Sequence, residues 1–263
     1  MPWLNLEQGS EEWLSARVGR ITGSRFKDAR DRSSGLTKQQ AAYVAAKKAG
    51  GSDDEACTIA GYKKPPTSEA VADAIKNGIQ LQWGGSAISY AMDTARDRCG
   101  GRTPSKFETA AMRTGKEQEP YARAKYEAKT GYLVEEVGIY VTEDGLLGIS
   151  PDGLINDDGV LEIKSIISSA VLFQVLADED ISEYIDQCIG YLFLLNRQWV
   201  DLVLFVPDMD HIKIIRINRD EEAIDALARD LVDFANMVKT YEAALLKAMG
   251  KSDEQAKAEG VTL

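Results

Sequence analysis

Histidine is nearly missing from this sequence, and His211 is its one example. A Ser-His-Asp triad or a Cys-His pair would have to run through that residue. It lies in the polar turn "PDMDHIK" and reads as a solvated turn histidine. Cysteine is scarce too. Cys57, Cys99 and Cys188 are odd in number, far apart and never spaced Cys-x-x-Cys, which argues against a disulfide framework and a zinc site. No apolar run approaches the ~20 residues of a membrane span. The opening stretch "MPWLNLEQGSEEW" has no basic segment followed by an apolar one, so no secretory signal is expected and the cytoplasm is the expected location. Positive charge is also short: 31 Lys and Arg against 42 Asp and Glu leave a formal net charge of −11. Taken alone, that disfavours a nucleic-acid partner, because binding one requires phosphate neutralisation. It does not exclude an enzyme acting on nucleic acid, since metal-holding carboxylates add negative charge and a basic contact surface can be small and local.

Carboxylates, lysine and bound metal are what remain to carry chemistry. With 263 residues, 44% of them hydrophobic, the chain can bury a sizeable core without staples. Residues 10–18 read as a capped helix with Ser10 at its N-cap, and "GRITGSRFKDA" as a turn into another short helix. Residues 37–49 have helical composition with Thr37 as cap. Residues 50–66, rich in Gly, Asp and Pro, read as a loop or insertion. Residues 68–98 read as mainly helical with a weak spot at Gly84-Gly85, and helix resumes at about 107–130. After Gly131 the period changes to short β-branched and aromatic runs between Asp-Gly turns, with a hairpin signal at Asn156–Gly159. Residues 183–196 form an amphipathic helix with Ile185, Cys188, Ile189, Leu192 and Leu195 on one side. "VDLVLFV" and "IKIIRI" are two more strands. From 220, Ile224, Leu227, Leu231, Phe234, Val238, Tyr241 and Leu245 mark a long amphipathic helix. Helices, then a meander of strands, then a helix and further strands predict one α/β domain with a mixed sheet.

The stretch "GISPDGLINDDGVLEIKS" (residues 148–165) concentrates the chemistry. On the strand "LEIKS", Glu162 and Lys164 share one face, and Leu161, Ile163 and Ser165 the other. Folding back at Asn156–Gly159 brings Asp152 towards Glu162. Two carboxylates and an ammonium at one hairpin end suit phosphodiester cleavage. Carboxylate oxygens are the ligands Mg²⁺ prefers, and an ammonium can position water or stabilise charge on the phosphate. The same residues also fit a solvated hairpin with ordinary charges. Three further segments bear on the choice. Glu119, Arg123 and Tyr126 share a helical face in "GKEQEPYARAKYE". Gln187 lies on the polar side of its helix. Arg17, Arg20, Thr22 and Ser24 in "RVGRITGS" offer an arginine fork and hydroxyls to a terminal phosphate. Each, taken singly, also reads as exposed polar surface.

Together, and in this order, "WLSARVGRITGS", "GKEQEPYARAKYE", "SPDGLINDDGVLEIKS" and "YIDQCIGYLFLLNRQWVDLVLFVP" resemble the bacteriophage lambda exonuclease family, the YqaJ-like viral recombinases. Residues 50–105 match that pattern poorly. The resemblance implies a restriction-endonuclease-like fold with a PD-(D/E)xK centre, here Pro151-Asp152 and Glu162-Ile163-Lys164. It implies that Asp152, Glu162 and the Ile163 carbonyl bind Mg²⁺ (Mn²⁺ as a substitute), with Glu119 assisting the second of two ions. It gives Lys164 the activation of water, and Gln187 the orientation of the nucleophile or of the metal environment. It places the 5′-phosphate on Arg17, Ser24 and Ser150, and an apolar wedge at Met112. The activity implied is 5′→3′ degradation of one strand of linear duplex DNA, leaving a 3′ overhang for a single-strand annealing protein, by a homotrimeric ring. A single nuclease domain over 1–250, with a helical insertion around 50–105 and a polar tail at 251–263, is the expected organisation. The competing expectations are an endonuclease or junction-resolving nuclease on the same fold, and a non-catalytic DNA-binding module.

Overall fold

The computed structural model describes residues 3–102 and 110–251, apart from the side chains of 110–112. The chain opens with β1 (Trp3–Leu4), α1 (Glu11–Ser15), β2 (Ile21–Thr22), α2 (Phe26–Ala29) and β3 (Arg32–Ser33). Then come α3 (Lys38–Lys48), α4 (Asp53–Ala60), α5 (Glu69–Asn77), β4 (Gln82–Trp83), α6 (Gly85–Arg98) and α7 (Ala110–Thr130). The strands β5 (Ile139–Val141), β6 (Leu147–Ile149), β7 (Gly153–Ile155) and β8 (Gly159–Ser165) follow. The chain continues through α8 (Ser169–Leu176), α9 (Ser182–Leu194), β9 (Trp199–Val206), β10 (His211–Asn218) and α10 (Glu221–Ala248). It divides into two compact units: Asp31–Ile88, and Met1–Arg30 with Ser89–Leu263.

The larger unit carries two four-stranded mixed sheets, ordered β1-β5-β6-β2 and β10-β9-β8-β7. In the second, β8 runs parallel to β9, while β7 and β10 are antiparallel to their neighbours. A strand in the middle of such a sheet is covered on both faces and reads as a continuous apolar run. "WVDLVLFV" is that run, and every residue of β9 is buried. The β7–β8 hairpin turns through Asn156, whose φ of 48° suits the short polar side chain of asparagine. It closes on the pair Ile155↔Gly159. A Cβ on Gly159 would stand 2.3 Å from the Trp199 ring, so only glycine lets these strands approach. On α10 the predicted stripe is buried at Ile224, Leu227, Leu231, Phe234 and Val238, then continues to Leu246 with Leu245 half-buried. Asp220 caps that helix, accepting from the backbone N–H of Glu222 and Ala223.

The smaller unit packs α3, α4 and α5 around Tyr43, Val44, Ala56, Cys57, Val71 and Ala74. Here the sequence reading needs two corrections. Residues 53–60 form α4, not a loop. Ser52 and Glu55 make a capping box, satisfying each other's backbone N–H, and Ala56, Cys57 and Ala60 face the core. Residues 68–98 are not one helical stretch. α5 ends at Asn77, Gly78 takes a φ of 91°, and Gln82–Trp83 pairs with Arg32–Ser33 before α6 begins. His211 is exposed at the start of β10, as a solvated turn residue should be.

Candidate active site

The β7–β8 register places Gly153 opposite Leu161, so Asp152 stands beside Glu162. Two backbone-anchored hydrogen bonds hold the corner. The Asp152 N–H donates to the Leu161 carbonyl at 3.1 Å, and Asp152 Oδ2 accepts from the Ile163 N–H at 2.6 Å. No further hydrogen bond falls on Asp152 Oδ1 among the described residues. Glu162 is only 3% exposed, which rules out a solvated hairpin face. A buried carboxylate must be paired, and this one has three partners. Oε1 meets Lys164 Nζ at 2.6 Å and accepts from Gln187 Nε2 at 2.8 Å. Oε2 accepts from the Tyr191 hydroxyl at 2.6 Å. Gln187 Nε2 also donates to the Tyr191 oxygen at 2.6 Å, and Gln187 Oε1 accepts from Lys164 Nζ at 3.1 Å. Asp152, Glu162, Ile163, Lys164 and Gln187 therefore come together.

α9 delivers Gln187 and Tyr191 from one face, because residues four apart stack on a helix. A close approach of α9 to α2 sets its position: a Cβ on Gly190 would lie 2.3 Å from the Phe26 ring. Arg30 reinforces it, binding Asp186 at 2.5 Å and Asp230 of α10 at 2.8 Å.

Electrostatics follow from crowding. Burial, then Glu162, then Glu119 push the Asp152 carboxyl well above the usual carboxylate range. Burial alone would lower the Lys164 ammonium, but Glu162 and Asp152 more than offset it and hold its pKa above the ordinary lysine value. The two carboxylates thus favour the charged ammonium at Lys164. Burial, Glu162 and Asp152 keep Tyr191 a phenol. Burial and Glu162 also raise the Cys188 thiol, which excludes it as a thiolate nucleophile.

Glu119 stands apart from this cluster. It faces a pocket of about 520 Å³ that Asp152 also lines, with Trp13, Lys116 and Arg123. Its carboxylate binds Arg123 at 2.7 Å, and burial is the main cause of its raised pKa. Tyr126, predicted on the same face, turns inward and donates to the buried Asp201 at 2.6 Å. Asp201 is held in addition by both arms of Arg216 at 2.8 Å. That network ties α7, which carries Glu119, to β9 beside the site.

A basic edge adjoins the carboxylates. Arg17 Nη2 donates to Ser24 Oγ at 3.0 Å, and its guanidinium lies 4.4 Å from the centre of the Trp13 ring. Burial lowers the Arg17 pKa, and Tyr90, Tyr191 and Glu162 act against that. Trp13 Nε1 donates to Ser150 Oγ, which donates to the Gly138 carbonyl, each at 3.0 Å. The side chain of Met112 lies outside the described residues. Sequence reasoning missed Trp13 and Tyr191. The signal was there, as Trp13–Arg17 and Gln187–Tyr191 are both i, i+4 pairs.

The donor set suits a hard divalent cation. Asp152 and Glu162 offer carboxylate oxygens and Ile163 a carbonyl between them. The mutual repulsion of Asp152, Glu162 and Glu119, offset only in part by Lys164, is what such a cation would relieve. Among the described residues, no three His, Cys, Asp or Glu side chains gather closely enough to hold a metal. Glu119 is paired with Arg123 instead.

Residues 12–197 match the YqaJ-like viral recombinase domain. The chain belongs to that family. Its fold matches the crystal structure of an alkaline exonuclease, LHK-Exo, from Laribacter hongkongensis, with a TM-score of 0.63 and 25% identity over 92% of this chain and 98% of that one. The same enzyme in complex with dAMP gives a TM-score of 0.64 and 26% identity over the same shares. The YqaJ-like chain therefore has the PD-(D/E)xK-type α/β fold, with mixed sheets flanked by helices. Comparison with curated proteins returned no match. No helix among the described residues is long and apolar enough to cross a membrane.

Proposed function

We propose that this YqaJ-like protein is a metal-dependent nuclease acting on DNA, and more narrowly a 5′→3′ exonuclease on linear duplex that leaves a 3′ overhang. The observation that carries this reading is the Asp152–Glu162–Lys164–Gln187 cluster, built on the buried Glu162, beside Arg17 and Ser24. Family membership and likeness to an alkaline exonuclease across nine-tenths of the chain support it.

Asp152, Glu162 and the Ile163 carbonyl would hold Mg²⁺, or Mn²⁺ in its place, with Glu119 serving a second ion. Bound Mg²⁺ supplies Lewis-acid polarisation of the phosphate and a more acidic water. The chain's own groups do the rest. The Lys164 ammonium donates to Glu162 and Gln187 and can donate to a third oxygen, so it orients the attacking water and stabilises charge growing on the phosphate. Gln187, fixed at both ends, keeps Lys164 and Glu162 in register. Arg17 and Ser24 receive the 5′-phosphate, and Ser150 sets the Trp13–Arg17 stack and can join them. Met112 is assigned as the wedge that parts the terminal base pair.

The wider proposal is a homotrimeric ring around DNA, working with a single-strand annealing protein in the cytoplasm. It includes one nuclease domain over residues 1–250, with the 50–105 region as an insertion. The test is digestion of linear and covalently closed circular duplex with Mg²⁺ or EDTA. Loss of linear DNA alone, only with Mg²⁺, is expected. Cleavage of the circle would turn the reading to an endonuclease, and no cleavage of either would end it.

A further inference from the structure

Arg123 is shared between two carboxylates of opposite character. One arm binds Glu119, which faces the pocket beside Asp152. The other binds Glu136, whose side chain is 73% exposed on the segment leading to β5. The Arg123 side chain is only 12% exposed, and its Nε is buried with no hydrogen-bond partner. A buried guanidinium divided between an inner and an outer carboxylate, with its Nε left over, is not the single bidentate pair that best suits a structural bridge.

We propose that Arg123 holds Glu119 back from the metal centre and that Glu136 lets it go: an incoming divalent cation takes the Glu119 carboxylate while Arg123 stays paired to Glu136. This rests on the metal-dependent reading given above. The physical reason is the cost of stranding a buried charge. A guanidinium that loses its only carboxylate inside the protein is strongly disfavoured. Without Glu136, Arg123 would therefore cling to Glu119 and oppose the cation. With Glu136, one arm remains paired throughout, and the exposed Glu136 side chain can follow Arg123 with little loss of hydration. Arg123 and Glu136 are positioning residues here, acting on the cation only through Glu119.

Calorimetric titration of the full-length protein with Mn²⁺ tests this without any turnover. Wild type, Glu136→Gln, Arg123→Gln and Arg123→Lys are compared, each first shown to unfold cooperatively in EDTA. Glu136→Gln should weaken the weaker Mn²⁺ site about tenfold, and Arg123→Gln should tighten it about tenfold, as expected for one charge several ångströms from the ion. Loss of a charge alone would shift Glu136→Gln and Arg123→Gln in these same directions, so the charge-conserving Arg123→Lys decides. It should also tighten the weaker site, because an ammonium lacks the fork that spans both carboxylates. Unchanged or weaker binding by Arg123→Lys overturns the exchange. No Mn²⁺ uptake by wild type would instead remove the metal-site reading, and the exchange with it.

Discussion

Asp152→Asn should destroy cleavage and yet make the metal-free protein more stable. Asparagine keeps the shape of Asp152, and its side-chain oxygen can still accept the 2.6 Å hydrogen bond from the Ile163 N–H. What disappears is one negative charge from a corner where burial, Glu162 and Glu119 all act against it. In the unfolded chain that repulsion is absent, so removing the charge favours the folded state. Asp152 is only half-buried, and Lys164 offsets part of the repulsion, so a gain of about 1–2 kcal/mol is reasonable. For a chain of this size that is a rise in Tm of roughly 2–6 °C. The assay is thermal unfolding in EDTA and again in millimolar Mg²⁺. Wild type should gain stability from Mg²⁺, because a ligand that binds only the folded state stabilises it, and Asp152→Asn should gain little. Cleavage should fall at least ~10²-fold. A variant that melts lower than wild type in EDTA, or that cuts at near wild-type rate, would refute the reasoning.

Three further outcomes are expected. Lys164→Ala removes the ammonium on Glu162 and should lower the rate at least ~10²-fold while DNA binding persists, as read by turnover and by mobility shift. Arg17→Ala should erase a preference for 5′-phosphorylated over 5′-hydroxyl ends, since a terminal phosphate carries more charge than an internal one and gains more from an arginine fork. Equal preference in both proteins would remove Arg17 from that role. Light scattering on purified protein should give three times the chain mass if the ring proposal is right, with heterologous contacts closing the ring. A processive monomer would overturn it.

Much of the site was legible because strands alternate. Once "LEIKS" is read as a strand, Glu162 and Lys164 must share a face, and an Asn-Asp-Asp-Gly turn must bring Asp152 back towards them. What alternation could not tell is that this face is covered. Glu162 is buried because β8 lies inside its sheet and α9 closes over it, a long-range fact carried by Gln187 and Tyr191 some 25 and 29 positions away. The pairing of Arg123 with Glu136 was hidden for the same reason, since a helix and a loop meet only in the fold. Local signals failed differently in α4. Its flanking glycines and prolines suggested a loop, although Ser52-x-x-Glu55 is a capping-box signature. At 78–84 the helical composition ran on, but Gly78 and the pairing of Gln82–Trp83 broke it.

The most direct test of the central claim follows the ends of a linear duplex. One sample carries a 5′-phosphate label, another a 3′ label, and each is incubated with wild type or Glu162→Ala in Mg²⁺. The account predicts early release of labelled mononucleotide from the 5′ end, retention of the 3′ label, and neither release nor shortening with Glu162→Ala. Release from the 3′ end first would contradict the polarity, and equal digestion by Glu162→Ala would contradict the site itself.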